Sequence, residues 1–363
     1  MDIHRNVLRM GAAALACAVV FRLASQGLPE KIAAWVSQPE VAAFLIYLET
    51  GRDVRFSLSS QVFSPEFAAE SAAPLFSDLP EEKPEFAPED AEAVQMYYAC
   101  SLRPDLGKLI AAPLSWDLTA PEPTVLILHT HTTESYTKTT EDYVESSAWR
   151  TLDENYNMLS IGDALGQILA KNGITAIHDR TLHDYPSYNG SYTDARKSIA
   201  AYLEEYPSIR LVLDLHRDAA DTEDGQLRTA VELDGQRTAR LMLVMGTDAA
   251  GLAHPEWEEN LSLALKLHAT LEQLSPGIMR PLVLRSQRFN QDMSPGALLV
   301  EVGAAGDSHA EALAASEQLA KAIVVLAKGT WDASPGGEGP SSYTGRRGEE
   351  KCIGSISPLS QLC

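Results

Sequence analysis

Basic residues are scarce in this chain. Lys and Arg number 29 against 50 Asp and Glu, for a net charge of −21 and a pI near 4.8. With nothing basic available to neutralise phosphates, nucleic acid is excluded as a partner. The same acidity argues against a purely electrostatic grip on an anionic polymer, so such a ligand would have to be held in a cleft by local polar groups. Cysteine is also rare, with four in 363 residues. Cys17 falls in an N-terminal apolar run and Cys100 stands alone, so neither marks a metal site. Cys352 and Cys363 lie in a Gly/Ser/Pro-rich tail that begins near Ser334 and reads as disordered. In an oxidising exterior that pair could close a small disulfide loop.

Nor does any apolar run reach the roughly 20 residues that a bilayer span needs. Met10 to Phe21 gives twelve, after Arg5 and Arg9 and before Arg22. Twelve is the length of a signal-peptide core. If Arg22 snorkels, Val7 to Leu28 can still span, with Arg5 and Arg9 on the cytoplasmic side. A lipoprotein reading through Ala14-Leu15-Ala16-Cys17 is weaker, because the apolar core before the cysteine is short. All three readings put the rest of the chain outside the cytoplasm.

Residues 1–30 are therefore expected to be a membrane anchor or signal segment, and 31–120 a juxtamembrane helix and an acidic linker. Ile32 to Gly51 is apolar with helical character, broken at Pro39. Ser64 to Glu92 holds nine acidic residues and one lysine, with prolines at 65, 74, 80, 84 and 88. Like charges repel and proline blocks regular pairing, so this stretch is expected to be an extended tether. Residues 121–332 carry the chemistry, and 333–363 are the tail.

The most informative stretch is Val125 to Tyr136, VLILHTHTTESY. Four aliphatic residues without a charge read as a strand covered on both faces. The chain then presents His129, His131 and Glu134. His-x-x-Glu spacing lets one tight turn aim an imidazole and a carboxylate at one point, a ligand pair that zinc accepts. A third ligand is expected from Leu211 to Ala219, LVLDLHRDA, a second apolar strand ending in His216. The metal set is then His131, Glu134 and His216. His129, on the same side as His131 if the segment stays extended, is the alternative ligand.

Glu301 sits inside the apolar run ALLVEVG, where a carboxylate is costly to bury without a reason. Beside a zinc-acidified water it is a general base that passes the proton to the leaving nitrogen. The structural alternative is an ion pair with Arg217 or Arg285. Arg217 is the candidate for an oxyanion or a substrate carboxylate, and Asp214 for a hydrogen bond to a ligand imidazole. Tyr188 and Tyr192, in a loop with Tyr185 and Asn189, suit sugar or peptide contacts. Asn290 and Gln291 are similar cases.

Strands and helices alternate through this region, which predicts an α/β fold with a mostly parallel sheet flanked by helices. The expected helices are Asn155 to Lys171, Thr193 to Tyr206, Glu256 to Leu274 and His309 to Leu326. Asp234-Gly235 reads as a hairpin turn between Thr229–Leu233 and Ala239–Val244. The ligands then fall at the carboxyl ends of strands, where open α/β sheets bind.

Four motifs in order, HTHTTESY, HDYPSYNGSY, DLHRDA and RFNQDMSPGALLVEVG, resemble the stage II sporulation protein P family of cell-wall hydrolases, within the zinc N-acetylmuramoyl-L-alanine amidases. The match runs from about Pro121 to Lys328. The resemblance implies one zinc in a mixed α/β domain, membrane tethering, and cleavage of the amide between muramic acid and L-alanine, with an endopeptidase activity on peptide crosslinks also credited to the family. It puts the ligands on the HTHTTE turn and His216, the catalytic carboxylate on Glu301, and implies a glycan-cleaving wall hydrolase as partner. One position departs from the family pattern. After VEVG this chain has Asp307 where the family tends to carry asparagine, which bears on a substrate contact. The same metal layout serves zinc carboxypeptidases, which need a cationic pocket such as Arg217 or Arg285 would supply. A non-catalytic wall-binding scaffold is the remaining alternative.

Overall fold

A computed structural model of the chain describes residues 59–68, 76, 84–114, 116–138, 149–223 and 225–329. The expected anchor, the segment from Ile32 to Gly51 and the cysteines of the tail lie outside the described residues. Among those described, no helix is long and apolar enough to cross a membrane. All the elements below belong to the unit Ser60–Cys363.

One sheet organises this unit. Its strands are β1 (Ser60–Phe63), β2 (Met96–Tyr98), β3 (Val125–Leu128), β4 (Ala176–Asp179), β5 (Leu211–Asp218), β6 (Leu241–Met245), β7 (Leu282–Leu284) and β8 (Ala297–Ala304). They lie in the order β1-β4-β3-β5-β8-β6-β7-β2. Five of the seven neighbouring pairs are parallel; β1–β4 and β8–β6 are antiparallel. The fold is thus α/β with a mainly parallel sheet, but β6, β7 and β2 run against the block β4-β3-β5-β8. Both edge strands, β1 and β2, come from the stretch expected to be juxtamembrane helix and linker, and Phe86 and Ala91 pack against the core.

Besides a single turn at Pro65–Ala68, the α-helices among the described residues are α1 (Leu106–Ala111), α2 (Met158–Lys171), α3 (Ser191–Glu205), α4 (Trp257–Leu274) and α5 (His309–Leu326). Their ends follow local chemistry. Asn157 caps α2 by accepting from Leu159 N, and Gly173 follows its end in the left-handed region at φ 85°. Ser308 and Glu311 form a capping box at the start of α5. Asp234 (φ 49°) and Gly235 (φ 79°) make the hairpin turn, joining Val231–Leu233 to Gln236–Thr238. The second arm of that hairpin ends at Thr238, and Leu241–Met245 belongs to the main sheet instead.

The two faces of the sheet are covered differently. Val125, Ile127, Leu213, Leu215, Leu243 and Val300 pack with α2, α4 and α5 in the main core. All four residues of β3 are fully buried, each worth roughly 1.5–3 kcal/mol. On the other face α3 buries Ala195, Ile199 and Tyr202 outside that core. Over β8, β6 and β7 this second face carries only a small apolar cluster of Met242, Val244, Val283 and Leu299, with Phe289 against it. That cluster is the floor of the site.

Candidate active site

A cavity of about 80 Å³ opens over this floor. Met242, Val244, Val283 and Leu299 line its base, while His131, Glu134, His216 and Glu301 form a polar wall. The parallel register of β5 and β8 sets Glu301 directly beside His216 and Leu299 beside Asp214. Paired residues share a face, so these side chains converge on the cavity. Immediately after Glu301 the register shifts at Gly303, whose φ of 73° suits glycine. That bulge turns the chain towards Asp307.

His131 and Glu134 come from the turn after β3, closed by Glu134 N donating to His131 O at 3.1 Å. Because the chain turns there, His129 and His131 do not share a side as an extended segment would require. His131 faces the cavity, with its ring 5.3 Å from that of His216. His129 is fully buried elsewhere, its Nε2 2.8 Å from His178 Nε2 and its Nδ1 3.1 Å from Leu215 O. His178 continues to Asp163 at 2.8 Å. Burial, reinforced by His178, pulls the His129 imidazole down to about 3.

Glu134 is held by two arginines. Arg217 reaches its Oε1 at 3.2 Å and Arg150 at 3.3 Å, and Arg217 N donates to its Oε2 at 3.2 Å. Burial opposes ionisation of Glu134, but Arg217, His131, His216 and Arg150 outweigh it and hold the carboxyl below its ordinary value. The rest of the Arg217 guanidinium donates to Ser135 O and Trp149 O, both at 3.0 Å. Arg217 lines the cavity, with three of its five N–H donors on Glu134 and on backbone carbonyls. The geometry makes it the support of Glu134 rather than the free cation expected for an oxyanion or a substrate carboxylate.

Asp214 accepts from Thr130 N at 2.8 Å and Thr130 Oγ1 at 2.6 Å, tying the turn to β5. Its Oδ1 stands 3.0 Å from His216 Nε2, without the alignment of a hydrogen bond. Burial pulls His216 down, but Asp214, Glu134 and Glu301 raise it to about 9. His131 moves the other way, to about 4, through burial. Glu301 is pushed up to about 8 by burial and by Asp218, against the pull of His216. Its Oε2 is buried without a hydrogen-bond partner, and neither Arg217 nor Arg285 pairs with it.

The donor types suit zinc: two imidazoles, a carboxylate and an adjacent acid. His216 Nδ1 lies 3.8 Å from Glu134 Oε2. Glu301 Oε2 adds a buried polar atom that wants a partner. His131 is the member out of place, since its ring nitrogens lie 3.3 Å from Tyr188 Oη and Ser191 Oγ. As they stand, no three His, Cys, Asp or Glu side chains among the described residues are grouped to hold a metal ion.

Tyr188 stacks on His131 with ring centroids 4.6 Å apart, and Tyr192 meets the same ring edge-on at 5.6 Å. Tyr192 lines the cavity, whereas Asn290 does not: its amide donates to Tyr192 O at 2.8 Å and anchors that loop. Gln291 is spent on Gly246 N and Val244 O. Asp307 is fully buried and accepts from Thr229 N, Thr229 Oγ1, Ala230 N and Ala304 N, so it ties loops together and leaves no oxygen for a substrate. Arg150, Ser191 and His178 escape sequence reasoning. Ser191 lies within HDYPSYNGSY beside Tyr192, but nothing local connects Arg150 or His178 to the motifs they support.

The family model described as stage II sporulation protein P matches residues 67–324. A relative, stage II sporulation protein P of Bacillus subtilis (strain 168), is 28% identical over 222 residues, covering 58% of this chain and 51% of the relative. The chain thus spans about half the length of the curated relative it matches.

Proposed function

This chain belongs to the stage II sporulation protein P family, and from that premise we propose that it is a zinc-dependent peptidoglycan hydrolase acting in sporulation. The bond it cleaves is the amide between N-acetylmuramic acid and the L-alanine of the stem peptide, with peptide crosslinks as a second target. The observation that carries the reading is Glu301. It is a buried acid whose Oε2 has no hydrogen-bond partner, in register with His216 on a cavity that also holds His131 and Glu134. Such an acid is expensive to keep and is explained by proton transfer.

His131, Glu134 and His216 would hold the metal, which when bound supplies a Lewis acid that acidifies water and polarises the amide carbonyl. The chain's own groups do the rest. Arg217 and Arg150 keep Glu134 ionised and fixed. Asp214 steadies His216 from the Nε2 side, leaving Nδ1 turned to Glu134. With the cation bound beside it favouring the carboxylate, Glu301 would take a proton at its free Oε2 from attacking water and return it to the leaving nitrogen. Tyr188 and Tyr192 cover His131 and limit water there. Residues 1–30 anchor the enzyme in the cell membrane by a single pass, with the catalytic body outside the cytoplasm. A glycan-cleaving wall hydrolase is the expected partner, because peptide removal leaves bare glycan strands.

Purified peptidoglycan digested with the zinc-loaded full chain, beside Glu301→Gln, tests this by mass spectrometry. Stem peptides with a free N-terminal L-alanine are expected, with release slowed by about 10²–10⁴ in the variant. Loss of only terminal or crosslinking residues would reassign the enzyme as a peptidase. No cleavage by folded, zinc-replete protein would favour a wall-binding scaffold.

A further inference from the structure

Arg285 follows β7 in the cavity wall. Each of the other arginines among the described residues commits its guanidinium to a carboxylate or a carbonyl. Arg150, Arg180, Arg196, Arg217, Arg228, Arg237, Arg280 and Arg288 have acidic partners. Arg103, Arg210 and Arg240 donate to backbone oxygens. Arg285 alone among them has neither, and its side chain meets only the Phe289 ring, 5.9 Å from the centroid. A half-buried guanidinium with five idle donors, in a cavity wall, is matched to a planar anion from outside.

The sheet register locates it. Val283 and Arg285 alternate onto the cavity face, with Val283 beside Val244, and Val244 beside Leu299. Met242 lies beside Glu301. Arg285 is therefore two strands across from Glu301 and four residues along, a backbone separation of roughly 16 Å from the strand spacing and rise. Both side chains rise from the same face roughly perpendicular to the sheet, so their polar ends stand up to about that distance apart, the span of at most four to five extended residues. Between the two ends the floor is Met242, Val244, Val283 and Leu299, which suits aliphatic groups.

We infer that the cavity selects peptides by a free carboxylate, held by Arg285 across the apolar floor from the scissile amide, with the intervening aliphatic groups on that floor. This rests on the peptidoglycan-hydrolase reading above. The carboxylate comes either from an internal stem residue or from the peptide terminus, and both present the same planar anion.

The test uses soluble muramoyl peptides in three forms: all carboxylates free, all converted to carboxamides, and only the terminal one converted. Cleavage of the first by the zinc-loaded full chain checks the underlying reading; its absence would fail that reading and not the subsite. Binding is then measured by calorimetry on Glu301→Gln with Arg285 intact, or replaced in addition by Met or Lys. Full amidation is expected to weaken binding roughly 10- to 100-fold with Arg285 present. Arg285→Met should abolish that discrimination, and Arg285→Lys should keep part of it, which separates lost charge from lost fold. Weakening by terminal amidation alone would assign the terminal carboxylate; weakening only on full amidation would assign an internal one. Discrimination absent with Arg285 intact, or persisting in Arg285→Met, would overturn the inference.

Discussion

Replacing Glu301 by glutamine should make the metal-free protein more stable relative to wild type as pH rises. Burial and Asp218 push this carboxyl from an ordinary value of 4.5 to about 8. The folded protein therefore holds a proton that the unfolded chain releases, so the penalty is absent below about pH 4.5 and complete above about pH 8. With 1.36 kcal/mol per pKa unit, the penalty grows from about 1 kcal/mol at pH 5.5 to about 4 kcal/mol at pH 8. Glutamine does not titrate over this range. Its buried amide carries a cost of its own, about 1–3 kcal/mol where hydrogen bonds go unmade, but that cost is independent of pH. The stability difference between variant and wild type should then rise by about 3 kcal/mol from pH 5.5 to 8. Urea unfolding of both proteins at the two pH values, with a chelator present, measures it, and taking the difference cancels titrating groups that do not interact with Glu301, His216 and Asp218 being the foremost of those that do. A difference that stays flat would mean that Glu301 is ionised throughout and would refute the burial argument.

Arg217→Met should weaken zinc binding by about 10- to 100-fold, because it removes one of the two cations that orient Glu134 and also leaves Ser135 O and Trp149 O without this donor. Competition with a chromophoric chelator would show it, and unchanged affinity would mean that Arg150 suffices. Gly162→Ala, in α2, should destabilise the fold by about 1–3 kcal/mol despite the better helix propensity of alanine, worth about 1 kcal/mol. A Cβ there would lie 2.4 Å from His178 Nε2 and 2.8 Å from His129 Nε2, both buried. A raised melting temperature would show that the His129–His178 pair yields easily.

Much of this protein is legible from local sequence. The charge-free run Val125 to Leu128 reads as a buried strand, and it is one. The helix expected from His309 to Leu326 forms over that range, and the hairpin turn falls at Asp234-Gly235. These are local signals, in which periodicity, caps and turn residues act over a few positions. The presence of Glu301 in an apolar strand was likewise a local anomaly that pointed to chemistry. What only the tertiary structure decided is long-range. Pairing set β8 beside β5, so that Glu301 meets His216, and reversed β6, β7 and β2 to make an apolar floor without a helix over it. The turn after β3 sent His131 to the cavity and His129 to His178. Packing bound Arg217 to Glu134 and left Arg285 without a carboxylate. Each of these depends on which distant segments share a boundary, and that is settled by burying the whole sheet at once rather than by any preference of neighbouring residues.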